Sequence, residues 1–195
     1  ESGLYDLFAA RQLITDGEAP GAAVARAVFP VWAESDQFQP LLRYLDAQHE
    51  TGTPLHAAGF DLQLSGELGA GLPEALDRLD TDLPGDDPAL TRLRDLIAAV
   101  LTEGPGAPGN TPVDQIEADV ATTVDRLQTS SLPERKWWAQ ILRSTGAFLV
   151  FLHGLSDPTP GVLNQRDAQM AANLSWLANV AYPDEKIIVW GASSH

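Results

Sequence analysis

No cysteine occurs among the 195 residues. Disulfides, thiol nucleophiles and thiolate metal sites are thereby excluded, while the cellular compartment stays open. Basic residues are scarce: 12 Lys and Arg stand against 27 Asp and Glu, a formal net charge of −15. That balance argues against nucleic acid and against an anionic membrane surface as partners. A secretory leader is missing too, since the chain opens on Glu1 with no basic, apolar-cored segment behind it. Without an initiator Met it reads as a fragment or a processed product, which leaves localisation, cytoplasmic or periplasmic, unknown. The sequence holds no GxGxxG, no phosphate-binding Walker loop, no HExxH and no GxSxG elbow. Its four histidines, His49, His56, His153 and His195, share no metal-ligand spacing. No metal and no cofactor is therefore expected. The uncharged run after Arg143 is far too short for a bilayer span, so no membrane insertion is expected either.

What is present is a globular composition, 44% hydrophobic, and a closing stretch from Asn164 to His195 that joins two unlike periodicities. Met170, Leu174 and Leu177 recur at three- and four-residue steps, which predicts a helix over 166–180 with one buried stripe. Tyr182-Pro183-Asp184 breaks it, because proline cannot continue the hydrogen-bond ladder. Ile187-Ile188-Val189-Trp190 is then a continuous run of β-branched and aromatic residues, the pattern of a buried parallel strand. Leu55 to Phe60 reads as a second strand, with Asp61 and Gln63 at its carboxyl end. Long helical connections between buried strands imply parallel pairing. The expected fold is therefore α/β and helix-dominated, with a partial parallel sheet and a helical insertion. Ligands bind at the carboxyl ends of strands in such sheets, which directs attention to Asp61 and to Ser193, Ser194 and His195.

Between these segments the sequence predicts helices. Leu4, Leu7, Phe8, Arg11 and Ile14 have helical spacing up to the stop at Asp16-Gly17. Pro20 to Phe29 and Ser35 to Gln48 follow, with Phe38, Leu41, Leu42 and Leu45 inward, and Trp32 between them packs into a core or a pocket wall. Residues 73–79 and 88–102 read as helices, the latter capped by Asp86 or Asp87 ahead of Pro88. A flexible connector, 104–110, leads to a helix reaching about Gln128, and Leu132 opens a long core helix to about His153. Asp157 to Gly161 forms a rigid turn into the closing helix. Three segments result: 1–65 and 132–195 as the two parts of an α/β core, and 66–131 as a helical insertion. The insertion reads either as a cap over the site or as a helical layer with no functional role.

Arg166, Met170, Asn173 and Leu177 share one helix face, which places a guanidinium and a carboxamide among core residues. Burial of either group without partners costs about 1–3 kcal/mol or more. Arg166 sits either at an exposed first turn, paired with a neighbour such as Asp167, or faces a polar pocket together with Asn173. His56 reads as structural.

The block RDAQMAANLSWL, followed by KIIVWGASSH, resembles the closing motif of the erythromycin esterase family, in which RDxxMAxNxxWL precedes a KIIVW-type strand and a histidine-bearing loop. ESGLYD at the start and GFDLQ at Gly59 to Gln63 are weaker echoes of the same family. The resemblance implies a hydrolase that cleaves a carboxylic ester or lactone with a histidine-activated water. It implies Glu1 and His195 as catalytic residues, Asp61, Arg166 and Asn173 as substrate-binding residues, and a small-molecule ester or lactone as the partner. Two features depart from the family pattern. No GExxHG-type motif carrying the family's base is present, and Ala192 stands where the commoner loop has a first histidine. The competing reading is a non-catalytic helical binding or scaffolding domain that shares the fold.

Overall fold

The computed structural model describes residues 2–83, 85, 87–155 and 159–191. Among them the chain forms two compact units, one of residues 1–70 and 186–195, the other of 71–185.

The first unit is built on α1 (Leu4–Thr15), α2 (Pro20–Ala27), a single turn α3 (Pro30–Ala33) and α4 (Gln39–Glu50). Proline at the first turn starts α2, α3 and α4, where its missing N–H is one that no helix bond would use. α2 packs on both α1 and α4. Its Ala23, Val24 and Ala27 join Leu7 and Ala10 of α1, Val28, Phe38, and Leu42 and Leu45 of α4 in one core cluster. The small side chains of α2 allow both neighbours to close on it. Trp32 is corrected by the structure: it is half exposed, because the lone turn carrying it offers no face to bury.

The second unit is a run of helices, each packed on the next: α5 (Leu72–Asp82), α6 (Pro88–Glu103), α7 (Val113–Thr129), α8 (Arg135–Gly154) and α9 (Pro160–Trp176). Asp87 caps α6 as its position before Pro88 requires: its Oδ1 accepts from the amides of Ala89 (3.0 Å) and Leu90 (3.1 Å). Its other oxygen meets Arg126 of α7 at 2.6 Å, so one buried carboxylate ends one helix and ties it to the next. Asp86, the other cap candidate, and Asp157 and Pro158 of the expected turn lie outside the described residues. α9 continues directly into a π-helical turn, Leu177–Ala181, which ends at Tyr182 ahead of Pro183. Trp137 meets Trp176 and Tyr182 edge-on, with ring centroids 4.7 and 6.0 Å away, and so joins the start of α8 to this turn.

The expected α/β fold with a partial parallel sheet is overturned. The described residues contain no strand and no sheet, only an isolated parallel bridge between Gly3 and Asp61. Residues 53–60 and 186–191 carry no regular structure. Ile187, Ile188, Val189 and Trp190 are 41%, 94%, 53% and 62% exposed, the reverse of a buried strand. Branched side chains favour extended chain, but a strand exists only once a neighbouring backbone answers its N–H and C=O groups. Trp190 packs instead on Phe38, with ring centroids 5.5 Å apart. The architecture is helical. No helix among the described residues is long and apolar enough to cross a membrane.

α8 and α7 approach closely at Gly146, where an added Cβ would lie 2.5 Å from Val120 Cγ2. Gly146→Ala is therefore expected to cost about 1–3 kcal/mol by urea unfolding, because the Val120 side chain or one of the helices must give way. Combining it with Val120→Ala should recover part of that loss. Strictly additive effects in the double-mutant cycle would show that this contact does not limit the approach.

Candidate functional site

Of the five residues singled out from the sequence, Glu1 and His195 lie outside the described residues, as do Ser193 and Ser194. Asp61 belongs to the first unit, Arg166 and Asn173 to the second.

Around Asp61 the chain is held by its own start. The Leu4 amide donates to the Asp61 carbonyl at 2.9 Å, and the Asp61 amide donates to the Ser2 carbonyl at 3.1 Å. These two bonds are the parallel bridge, and they set Ser2 and Gly3 of the first motif beside GFD of the second. The approach requires glycine, since a side chain on Gly59 would run into the backbone of Ser2 and Gly3. The Asp61 side chain is buried, at 2% exposure, and its Oδ1 accepts from the Gln63 amide at 3.3 Å, a local turn of the kind aspartate favours.

A residue that the sequence reading did not select lies beneath it. Asp6, in the first turn of α1, is completely buried. Its Oδ1 accepts from the Gly66 amide at 3.0 Å and its Oδ2 from the Ser65 amide at 3.2 Å. The Gly69 amide also faces this carboxylate, and Gly69 has no room for a side chain, since a Cβ would sit 3.0 Å from Asp6 Oδ1. Burial pushes the Asp6 carboxyl up to about 6, against the pull of the surrounding amides, which favour the anion. Its signal in the sequence was positional. It closes ESGLYD, where an acid interrupts the inward stripe Leu4, Leu7, Phe8, and 65–71 supplies the glycines that admit it.

In the second unit the shared face of α9 forms as expected: Met170, Asn173 and Leu177 are all buried. Asn173 is 0% exposed, and other side chains occupy its carboxamide. Its Oδ1 accepts from Gln140 Nε2 (2.8 Å) and Gln169 Nε2 (2.9 Å), while its Nδ2 donates to Ser144 Oγ (2.9 Å). α9 is thus pinned to α8 by a small, interlocked polar cluster inside an apolar layer, a costly arrangement unless every member is satisfied. Arg166 lies two turns earlier on the same helix and is half-buried. Gln169 links the cluster to a groove of about 570 Å³ between α7, α8 and α9. Val120, Val124, Ala147 and Val150 line its apolar part, and Arg143 and Gln165 are among its polar residues.

The described residues offer no group of three or more His, Cys, Asp or Glu that could hold a metal ion. A family model described as "Erythromycin esterase" matches residues 1–195. No curated protein and no solved structure matches the chain.

Two measurements check this geometry. The folded Asp6 carboxyl sits above its unfolded value of 3.8. The native state therefore binds more protons between about pH 4 and 6, and Asp6's contribution to stability is lost as pH rises through that window, by roughly 3 kcal/mol in all. A side-chain carboxyl ¹³C titration should give a midpoint near 6 for Asp6, and a midpoint near 4 would show that burial does not penalise the anion. Asn173→Ala strands the amides of Gln140 and Gln169 and the Ser144 hydroxyl. It should cost roughly 2–4 kcal/mol in thermal or urea unfolding, whereas a loss below ~0.5 kcal/mol would show the cluster to be solvated.

Proposed function

The chain belongs to the erythromycin esterase family, and from that premise we propose that it hydrolyses a carboxylic ester or lactone with a water molecule activated by histidine. Membership across residues 1–195 is the observation that carries the reading. It makes the protein an esterase-like hydrolase at the level of the family. The finer assignments follow the closing motif and the two N-terminal echoes.

The base is assigned to the histidine of the family's GExxHG-type motif, which these 195 residues do not contain, and His195 and Glu1 are assigned places beside it. The base imidazole takes a proton as the water oxygen bonds to the acyl carbon, and the carbonyl π pair moves onto its oxygen, where His195 adds positive charge. The tetrahedral oxyanion then collapses, the C–O bond to the leaving alkoxide breaks, and that alkoxide recovers the proton. The products are a carboxylic acid and an alcohol, or one hydroxy acid when the substrate is a lactone. Glu1 orients the imidazole and stabilises its protonated form, the part a carboxylate plays beside a catalytic histidine. The Arg166 guanidinium stabilises the oxyanion, and preorganised positive charge at that point is commonly the largest single contribution to rate. Asp61 binds polar groups of the substrate. Asn173 contributes by fixing the helix that carries Arg166, since side chains of this unit already fill its carboxamide. The family name points to macrolides as the substrate class, and resistance to such antibiotics is the corresponding biological role.

Hydrolysis of aryl esters and macrolactones by the full-length gene product tests this. His195→Ala should lower kcat about 10²–10³-fold, as loss of one group that stabilises the oxyanion does, with the helical circular dichroism unchanged. An unaltered kcat would remove His195 from the chemistry. Absence of turnover on every ester and lactone offered would overturn the hydrolase reading itself.

A further inference from the structure

We propose that Asp6 is a positioning residue for the candidate site, holding Asp61 and the loop after it in a fixed conformation through the backbone amides it binds. Asp6 is completely buried, so it touches no substrate and is not a catalytic residue. Its partners are what give it a role. Ser65 and Gly66 lie 59 and 60 residues further along the chain, and each donates its amide to a different oxygen of the same carboxylate. On the near side, Gly3 and Leu4 lie three and two residues before Asp6, and they take part in the backbone bridge with Asp61. The loop 61–66 is therefore clamped at both ends to the first turn of α1, by the bridge at Asp61 and by the carboxylate at Ser65 and Gly66.

Between these clamps Asp61 has little freedom. Its amide and carbonyl are both taken by the bridge, and its side chain is folded onto Gln63 inside the same loop. Removal of the Asp6 carboxylate would leave the half-buried amides of Ser65 and Gly66 without their acceptor. The loop would open to rehydrate them, since a stranded donor costs more than a displaced loop. Such an opening moves Asp61, and misplacement by about 1 Å near reacting groups can cost ~10²-fold in rate. Leu62 and Asp61 are both almost fully buried, so the loop has no alternative seat of equal burial.

The kinetic consequence rests on the hydrolase reading above, whereas the positional one does not. The test compares the full-length protein with Asp6→Ala and Asp6→Asn. Amide hydrogen exchange at Asp61, Ser65 and Gly66 in Asp6→Ala should quicken by at least ~10-fold, while α2 and α4 keep their protection. The Asp61 amide ¹⁵N chemical shift should move in the same variant. In ester hydrolysis kcat should fall roughly 10–100-fold with KM within about threefold, the pattern of lost positioning rather than lost binding. Asp6→Asn keeps one acceptor oxygen and should restore part of both effects. If Asp6→Ala does not fold, the same readouts on Asp6→Asn decide, with smaller changes in the same direction. Unchanged exchange and an unchanged Asp61 amide shift overturn the proposal, and so does a loosened loop with undiminished kcat. A wild-type protein inactive on every ester refutes the hydrolase reading, and the proposal then stands or falls on exchange and the Asp61 amide shift alone.

Discussion

A carboxylate out of reach of water, facing backbone amides from a segment some sixty residues away, is the constraint on which the first unit depends. Asp6 satisfies polar groups that a loop lying under a helix would otherwise strand, and it does so from the helix's first turn, where negative charge is favoured by the peptide dipoles. The two effects on its proton oppose one another. Exclusion from water favours the neutral acid, the amides favour the anion, and exclusion wins. The glycines at 3, 59 and 69 are the steric counterpart, since each removes a side chain that would keep helix and loop apart.

The second unit solves a comparable problem without charge. Long apolar helices packed on one another have few features that fix their register, because one leucine contact resembles the next. Asn173 supplies such a feature: its carboxamide meets Gln140, Ser144 and Gln169 at defined distances, and sliding α9 by one turn would break both bonds to α8, those to Gln140 and Ser144, at once. Buried polar contacts of this sort contribute modestly to net stability but penalise the alternatives heavily. Asp87 acts likewise for α6 and α7, with Arg126 as its partner.

The helices were legible in the sequence because their signals are local. Proline at first turns, the Asp87 cap and the three-and-four spacing of apolar residues each reflect contacts within a few residues. The shared face of Met170, Asn173 and Leu177 followed from the same arithmetic, although the partners of Asn173 did not, since they come from another helix. Ile187 to Trp190 misled because a β-branched run states a local preference, while pairing depends on another segment. Asp6 was overlooked for the same reason. Only its place within the inward stripe of Leu4, Leu7 and Phe8 hints at burial, and its amide donors lie beyond Phe60. The catalytic assignments to Glu1 and His195 concern residues outside those described, so the family motif alone supports them.

Four consecutive large apolar residues on the surface have a colloidal consequence. Ile187, Ile188, Val189 and Trp190 offer a neighbouring copy both oily side chains and backbone free of any helix, the features by which chains zip together edge to edge. The formal charge of −15 works in the other direction by repelling every copy from every other. These opposing forces differ in their response to salt. Repulsion reaches about 8 Å at physiological ionic strength and shrinks to about 3 Å in molar salt, whereas the attraction between apolar groups does not weaken. The shelf life of this chain in solution is therefore governed by ionic strength, and dilute buffer is the condition that keeps it monodisperse.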